Sequence, residues 1–177
     1  QTDFETANAV ISSTVSDNKV YASVGGETVA LDQVSDPVFA SGMMGEGMAI
    51  KPAEPGINKV YAPQAGTLSV VADTGHAYGL TTDDGMEILV HLGIDTVNLK
   101  GAPFTVAVKA GQHVNKGDLL GTFDQAAIKK AGLDATTIVL ITNSKSYARI
   151  EPVAADTTVQ AGADLLAVQR EDVKVES

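Results

Sequence analysis

Between Met86 and Leu92 every second residue is apolar. Met86, Ile88, Val90 and Leu92 fall on one side, and Glu87, Leu89 and His91 on the other. A period of two is the signature of a strand with one buried face. The run follows Asp84-Gly85, a dipeptide suited to a two-residue type I′ turn, so residues 74–97 are predicted to fold as a hairpin. In that register Asp83 faces Met86, Leu80 faces Leu89 and Tyr78 faces His91. His76 then shares a sheet face with His91 as its diagonal neighbour, about 7–8 Å away at Cα. A three-residue turn would shift the pairing by one and put the two histidines on opposite faces. The pattern therefore predicts a hairpin presenting two histidines.

The remaining pattern is also one of short strands. Residues 20–31 read as two strands around Gly25-Gly26, 48–50 and 59–62 as strands flanking a Pro-rich turn, and 63–68 as a turn into a strand leading to Thr74. A loop over 101–104 precedes a strand over 105–108, and 136–142 is a β-branched run of the buried kind. The sequence around Gly117-Asp118-Leu119-Leu120 echoes Gly162-Ala163-Asp164-Leu165-Leu166 and, more faintly, Ala65-Gly66-Thr67-Leu68, which points to a duplicated hairpin unit. One short helix is expected over 124–131, with Asp124 as N-cap and Gly132 as its left-handed stop. The stretch 42–47 has G-x-x-G-x-G spacing but no βαβ context, and reads as a flexible surface loop. Phe39, Met43 and Met44 are large apolar residues on or beside it; such residues are more often tucked under than displayed, though Met and Phe also make adaptable partner surfaces. The fold class is all-β: a compact antiparallel β-sandwich/barrel hybrid with duplicated hairpin units and one short helix.

Composition narrows the chemistry. The 177 residues contain no Cys, which excludes disulfides, zinc-thiolate sites and a thiol nucleophile. No run of 18 apolar residues is present, so no helical span is expected. The polar, Ser/Thr-rich stretch 1–18 reads as a linker or a remnant of a longer polypeptide, 19–170 as one domain and 171–177 as a charged tail. The formal charge of −10 argues against nucleic acid and suits a partner with a positive surface.

Two converging histidines could bind a metal, form a catalytic pair or carry phosphate. A catalytic zinc site normally has three protein ligands and an open position. There is no H-E-x-x-H or His-x-His here, and only Asp95 lies nearby. No metal or other cofactor is therefore expected, beyond zinc held weakly by His76 and His91 until a partner carboxylate completes the site. No G-x-S-x-G marks a serine nucleophile. A phosphocarrier needs less: one unprotonated, exposed imidazole nitrogen, with the other held by an acceptor.

The residues Thr74-Gly75-His76-Ala77 and Met86-Glu87-Ile88-Leu89-Val90-His91-Leu92-Gly93-Ile94-Asp95-Thr96-Val97 carry a family resemblance. They resemble the two histidine motifs of the glucose-type enzyme IIA domain of the bacterial sugar phosphotransferase system, and the similarity runs over residues 35–143. It implies the same all-β fold and a phosphotransferase component. His91 would accept the phosphoryl group at Nε2, and the Gly93 carbonyl would hold its Nδ1–H. His76 would stabilise the phosphate, with Thr74 orienting its ring. Asp36 and Asp95 would attract basic residues of the donor, while Val38, Phe39, Met43, Met44 and Leu89 would form an apolar contact rim. Ala72 and Gly79 stand where family members carry aromatics, so that rim is reduced. The implied partners are the histidine-containing phosphocarrier protein HPr as donor and a IIB domain as acceptor, with IIB and IIC domains in some cases covalently linked. The implied location is cytoplasmic, as the cytosolic domain of a larger membrane-bound permease. His113 matches nothing and reads as solvated.

Other readings stay open. A regulatory IIA domain fused to a sugar transporter of another type would share all these residues. A zinc peptidase of related fold would need H-x-H beside H-x-x-x-D, and no H-x-H is present. The hairpin over 114–119 is similar to that of biotinyl and lipoyl carriers but lacks the lysine tip they modify.

Overall fold

A computed structural model describes residues 18–170. Apart from Asn18, the segments read as linker and charged tail lie outside the described residues. Fourteen strands form among them. The first ten are β1 (Lys19–Tyr21), β2 (Gly26–Ala30), β3 (Glu46–Pro52), β4 (Ile57–Tyr61), β5 (Gly66–Val71), β6 (Ala77–Thr81), β7 (Glu87–Leu92), β8 (Phe104–Val106), β9 (His113–Val114) and β10 (Leu119–Asp124). The others are β11 (Thr137–Ile141), β12 (Tyr147–Pro152), β13 (Thr158–Val159) and β14 (Asp164–Arg170). All pairings are antiparallel. Among the described residues no helix is long and apolar enough to cross a membrane.

The expected duplication extends across the whole fold. One sheet has the order β13-β2-β3-β11-β7-β6-β5-β9, and two smaller sheets run β1-β14-β12 and β4-β10-β8. Exchanging β1–β3 with β4–β6 and β11–β14 with β7–β10 leaves all three orders unchanged. Register follows the same exchange: Gly26 pairs with Val159, and Gly66 with Val114. The echoing Gly turns also dock alike. Gly162 N–H donates to Ala22 O and Gly117 N–H to Ala62 O, at 2.8 and 3.0 Å.

The two halves meet where β7 pairs with β11, with Val90 opposite Val139. Strand β11 is buried at every position, as its β-branched run predicts. Val90, Val139 and their neighbours Ile88, Leu92 and Ile141 point into the main core. The alternate residues Ile138 and Leu140 join Phe39, Ala49 and Ile94 in a smaller cluster on the opposite face, with Leu89 packed against it. His91 pairs with Ile138 on that second face. The amphipathic reading of β7 is thus observed: Met86, Ile88, Val90 and Leu92 are buried, Glu87 is exposed, and Leu89 and His91 are half-buried.

The hairpin register differs from the expectation by one residue. Ala77, not Tyr78, pairs with His91, and Tyr78 pairs with Val90. The turn has three residues. Thr82 N–H donates to Met86 O, Gly85 N–H to Thr82 O, and Met86 N–H to the Thr82 hydroxyl. A type I′ turn would need positive φ at Asp84 as well as Gly85; only Gly85 has it, at 95°. The shift sends Tyr78 into the core. Its hydroxyl donates to Leu120 O at 3.3 Å, and burial pushes its pKa up to about 12.

The two strands expected within 20–31 form as β1, which lies on β14, and β2, which lies on β3 and β13. Two further expectations are corrected. The expected helix is present as α2 (Gln125–Lys130), capped by Asp124 and closed by Gly132 at φ 83°, but it is not alone. A one-turn helix, α1 (Pro37–Ala40), forms in the β2–β3 connection, because the Asp36 side chain caps it and Pro37 starts it. That turn tucks Phe39 to 7% exposure, so Phe39 is a packing residue and not part of a displayed rim.

Candidate functional site

The site lies on the second face of the large sheet, and the two halves supply it from opposite sides. The β5–β6 connection brings His76. The β2–β3 connection, its equivalent under the exchange, brings Asp36 and Phe39. His91 stands between them on β7. The imidazoles of His76 and His91 have centroids 5.2 Å apart at an interplanar angle of 78°, and the Phe39 ring lies 5.0 Å from His91 at 59°.

The histidines meet despite the three-residue turn. Strand β6 begins at Ala77, and His76 lies in the bend just before it. The His76 carbonyl still accepts from Leu92 N–H at 2.7 Å. Its side chain, however, is outside the regular strand and so is not bound by the alternation of faces.

Each ring has one nitrogen engaged. His91 Nδ1–H donates to Gly93 O at 2.7 Å, and His76 Nδ1 shares a 2.5 Å hydrogen bond with the Thr74 hydroxyl. Since a carbonyl oxygen can only accept, the bond to Gly93 puts a proton on His91 Nδ1 and leaves Nε2 with the lone pair of the neutral ring. Burial holds the His91 pKa below its ordinary value, and the neighbouring His76 pushes it the same way. The bond to Gly93 and the carboxylates of Asp36 and Asp95 oppose them without prevailing. His76 is also lowered, by burial. The arrangement favours two neutral imidazoles near pH 7.

The turn after β7 is built to aim the Gly93 carbonyl. Gly93 adopts φ 85°, and a Cβ there would come within 2.5 Å of Thr96 Cγ2 and 2.9 Å of Asp134 O. Asp95 is also left-handed, at φ 61°, and its side chain is displayed. Asp36 uses Oδ1 to accept from Val38 N–H and, at longer range, Phe39 N–H. Among the described residues no such bond engages its Oδ2. Val38 is 47% exposed, Met43 80% and Met44 40%, so these three form the displayed apolar surface that Phe39 does not. A Cβ at Gly79 would press to 3.3 Å from Val70 Cβ, and Val70 is itself 55% exposed. His113 is exposed, as expected, with its Nε2 3.8 Å from the exposed Asp83 Oδ1.

Three residues engaged at the site are absent from the sequence-based set. Asp134 O accepts from Ile94 N–H, Thr136 O from Gly93 N–H, and the Thr96 hydroxyl donates to Leu92 O. Thr96 lies inside the quoted motif and could have been singled out there. Asp134 and Thr136 are distant in sequence and carry no motif. Among the described residues, no group of three or more His, Asp or Glu side chains is placed to hold a metal.

Comparison with known proteins agrees with this architecture. A family model for the phosphoenolpyruvate-dependent sugar phosphotransferase system, EIIA 1, matches residues 18–147. The chain is 47% identical over 140 residues to the PTS system beta-glucoside-specific EIIBCA component of Dickeya chrysanthemi, covering 79% of this chain and 22% of that protein. It is 40% identical over 150 residues to the PTS system glucose-specific EIIA component of Halalkalibacterium halodurans, covering 85% of each. Among solved structures, the glucose permease IIA of Mycoplasma capricolum matches with a TM-score of 0.74 at 35% identity, over 84% of this chain and 93% of that one. The chain spans only about a fifth of the length of the beta-glucoside relative. With fold, histidine pair and family model in agreement, this chain belongs to the EIIA 1 family of the phosphoenolpyruvate-dependent sugar phosphotransferase system.

Proposed function

We propose that this domain carries a phosphoryl group on His91, taking it from HPr and passing it to a IIB domain that serves sugar uptake. The observation that carries this reading is the 2.7 Å bond from His91 Nδ1–H to Gly93 O, which leaves Nε2 as a lone-pair nucleophile beside a second imidazole. Burial of both rings supports it, because a protonated His91 could not attack.

In the forward step the P–N bond on the donor's phosphohistidine breaks as a new one forms to His91 Nε2. The Nδ1 proton stays in place throughout. With the Thr74 hydroxyl donating to His76 Nδ1, the His76 proton sits on Nε2 and can bond to a phosphoryl oxygen. Preorganised donors of this kind stabilise a loose, metaphosphate-like transition state. Asp95 and the free oxygen of Asp36 supply negative charge for basic residues of the donor. Val38, Met43, Met44 and Leu89 supply apolar contact around them. This reading puts the domain on the cytoplasmic side of a larger permease, and linkage to IIB and IIC domains is supported by the relative named as an EIIBCA component.

The test is incubation with enzyme I, HPr and phosphoenolpyruvate. One phosphate per chain should be incorporated, labile in acid and stable in base, and His91→Gln should take up none. Wild-type uptake by His91→Gln would overturn the assignment.

A further inference from the structure

We propose that Thr96 and Asp134 are positioning residues that set the tautomer of His91 by holding the Gly93–Ile94 peptide rigid. This role rests on the phosphocarrier reading of His91 and explains how the chain keeps the correct nitrogen free.

One peptide group links the two ends of the device. Its carbonyl, Gly93 O, accepts from His91 Nδ1–H at 2.7 Å, and its N–H, on Ile94, donates to Asp134 O at 2.9 Å. The two bonds run through the same amide, so each polarises the other. The preceding amide is pinned too, with Gly93 N–H donating to Thr136 O at 3.0 Å. A carbonyl fixed on both sides cannot rotate away from the ring. The alternative tautomer, with its proton on Nε2, would set the Nδ1 lone pair against Gly93 O, and the clash of two acceptors excludes it. A mobile carbonyl would turn aside and let that unreactive tautomer accumulate.

Thr96 and Asp134 supply the rigidity. The turn contains two left-handed residues, Gly93 at φ 85° and Asp95 at φ 61°, which a free chain seldom holds so close together. The hydroxyl of Thr96, wholly buried, donates to Leu92 O at 2.6 Å and closes the turn across them. On the other side, Asp134 Oδ1 accepts from Thr136 N–H at 2.9 Å and from the Thr136 hydroxyl at 2.6 Å. This small side-chain turn keeps the carbonyls of residues 134 and 136 aimed at the Gly93 and Ile94 amides. Asp134 Oδ2 accepts from the Ser35 hydroxyl at 3.3 Å, tying the device to the segment that carries Asp36 and Phe39. Asp134 reaches His91 through the peptide, by the bond its carbonyl accepts from Ile94 N–H.

The experiment uses the full chain, labelled with ¹⁵N, and reads the His91 ring nitrogens by two-bond correlation spectra alongside phosphorylation kinetics with HPr. Wild type should show the proton on Nδ1 alone. Thr96→Val, which keeps the shape but loses the donor, should show mixed tautomers. Its kcat should be about tenfold lower, the scale of one net hydrogen bond, with the KM for HPr unchanged. Thr96→Ser should restore most of the loss. Asp134→Ala should move both signals the same way, and Asp134→Asn, which keeps an acceptor for Thr136, less. Asp134 is exposed, so its variants carry the test even if Thr96→Val does not fold. Variants that fold, keep His91 wholly protonated on Nδ1 and turn over at the wild-type rate would overturn the role. A wild type that takes up no phosphate would sink the phosphocarrier reading, while the ring spectra decide the tautomer question on their own.

Discussion

His76 meets His91 edge to face, with centroids 5.2 Å apart, and its Nδ1 is already engaged by Thr74. That leaves His76 Nε2 as the group able to touch a phosphoryl on His91. Accepting phosphate needs chiefly the His91 lone pair, whereas release onward needs the departing group to be steadied. His76→Gln should therefore still be phosphorylated but pass phosphate to a IIB domain about 10²–10³ times more slowly, the cost of one lost donor at such a transition state. Single-turnover transfer from the purified phospho-form measures this. Normal onward transfer would make the ring purely structural.

Both histidines have lowered pKa values, and the sign for pH dependence follows. Phosphoryl uptake should stay level as pH falls to about 6.5, the ordinary histidine value, and decline only below it. Stability should behave likewise. Above 6.5 the rings are neutral both folded and unfolded and contribute nothing. Below it the unfolded chain binds protons first, so stability falls until the folded pKa values are passed, where the loss levels off. NMR titration of His91 with a midpoint above 6.5 would contradict this account.

Asp36 has two tasks that one substitution separates. Asp36→Asn keeps an oxygen for the Val38 and Phe39 amides, so α1 should persist. It removes a charge that raises the His91 pKa, so the His91 midpoint should move further down. HPr binding should also weaken and lose part of its salt dependence. An unchanged titration with weaker binding would assign Asp36 to docking alone.

Phe39 lies buried against the imidazole of His91. Truncation by Phe39→Ala should destabilise the domain by about 3–5 kcal/mol, the usual range for a buried aromatic, and wet the His91 ring so that its pKa rises toward the ordinary value. Chemical denaturation and histidine titration read the two effects. A loss below about 1 kcal/mol would show that the ring is dispensable to packing.

Zinc should bind this domain weakly, since two imidazoles are short of the three or four ligands of stable sites. Dialysis against a chelator should strip it without changing phosphate uptake. Stoichiometric zinc surviving that treatment, with hydrolysis of peptidoglycan peptides, would instead favour a peptidase.

The alternation along β7 was legible in the sequence because a strand with one buried face repeats every two residues, whatever it packs against. The Asp124 cap and Gly132 stop of α2 were legible for the same reason, being local backbone chemistry. The duplicated Gly turns appeared as an echo, though the symmetry of all three sheets did not, because partners such as Gly26 and Val159 are set by long-range pairing. The hairpin register departs from what Asp84-Gly85 suggests: the Thr82 hydroxyl, by capturing Met86 N–H, stabilises a three-residue turn over the type I′ turn. The resemblance puts Phe39 in a displayed rim, and the capped turn over Pro37–Ala40 shows instead that it is packed. The identity of the two histidines was written in the chain. The parts played by Asp134 and Thr136 were decided by tertiary structure, because a hydrogen bond between residues some forty positions apart leaves no periodic trace in the sequence that makes it.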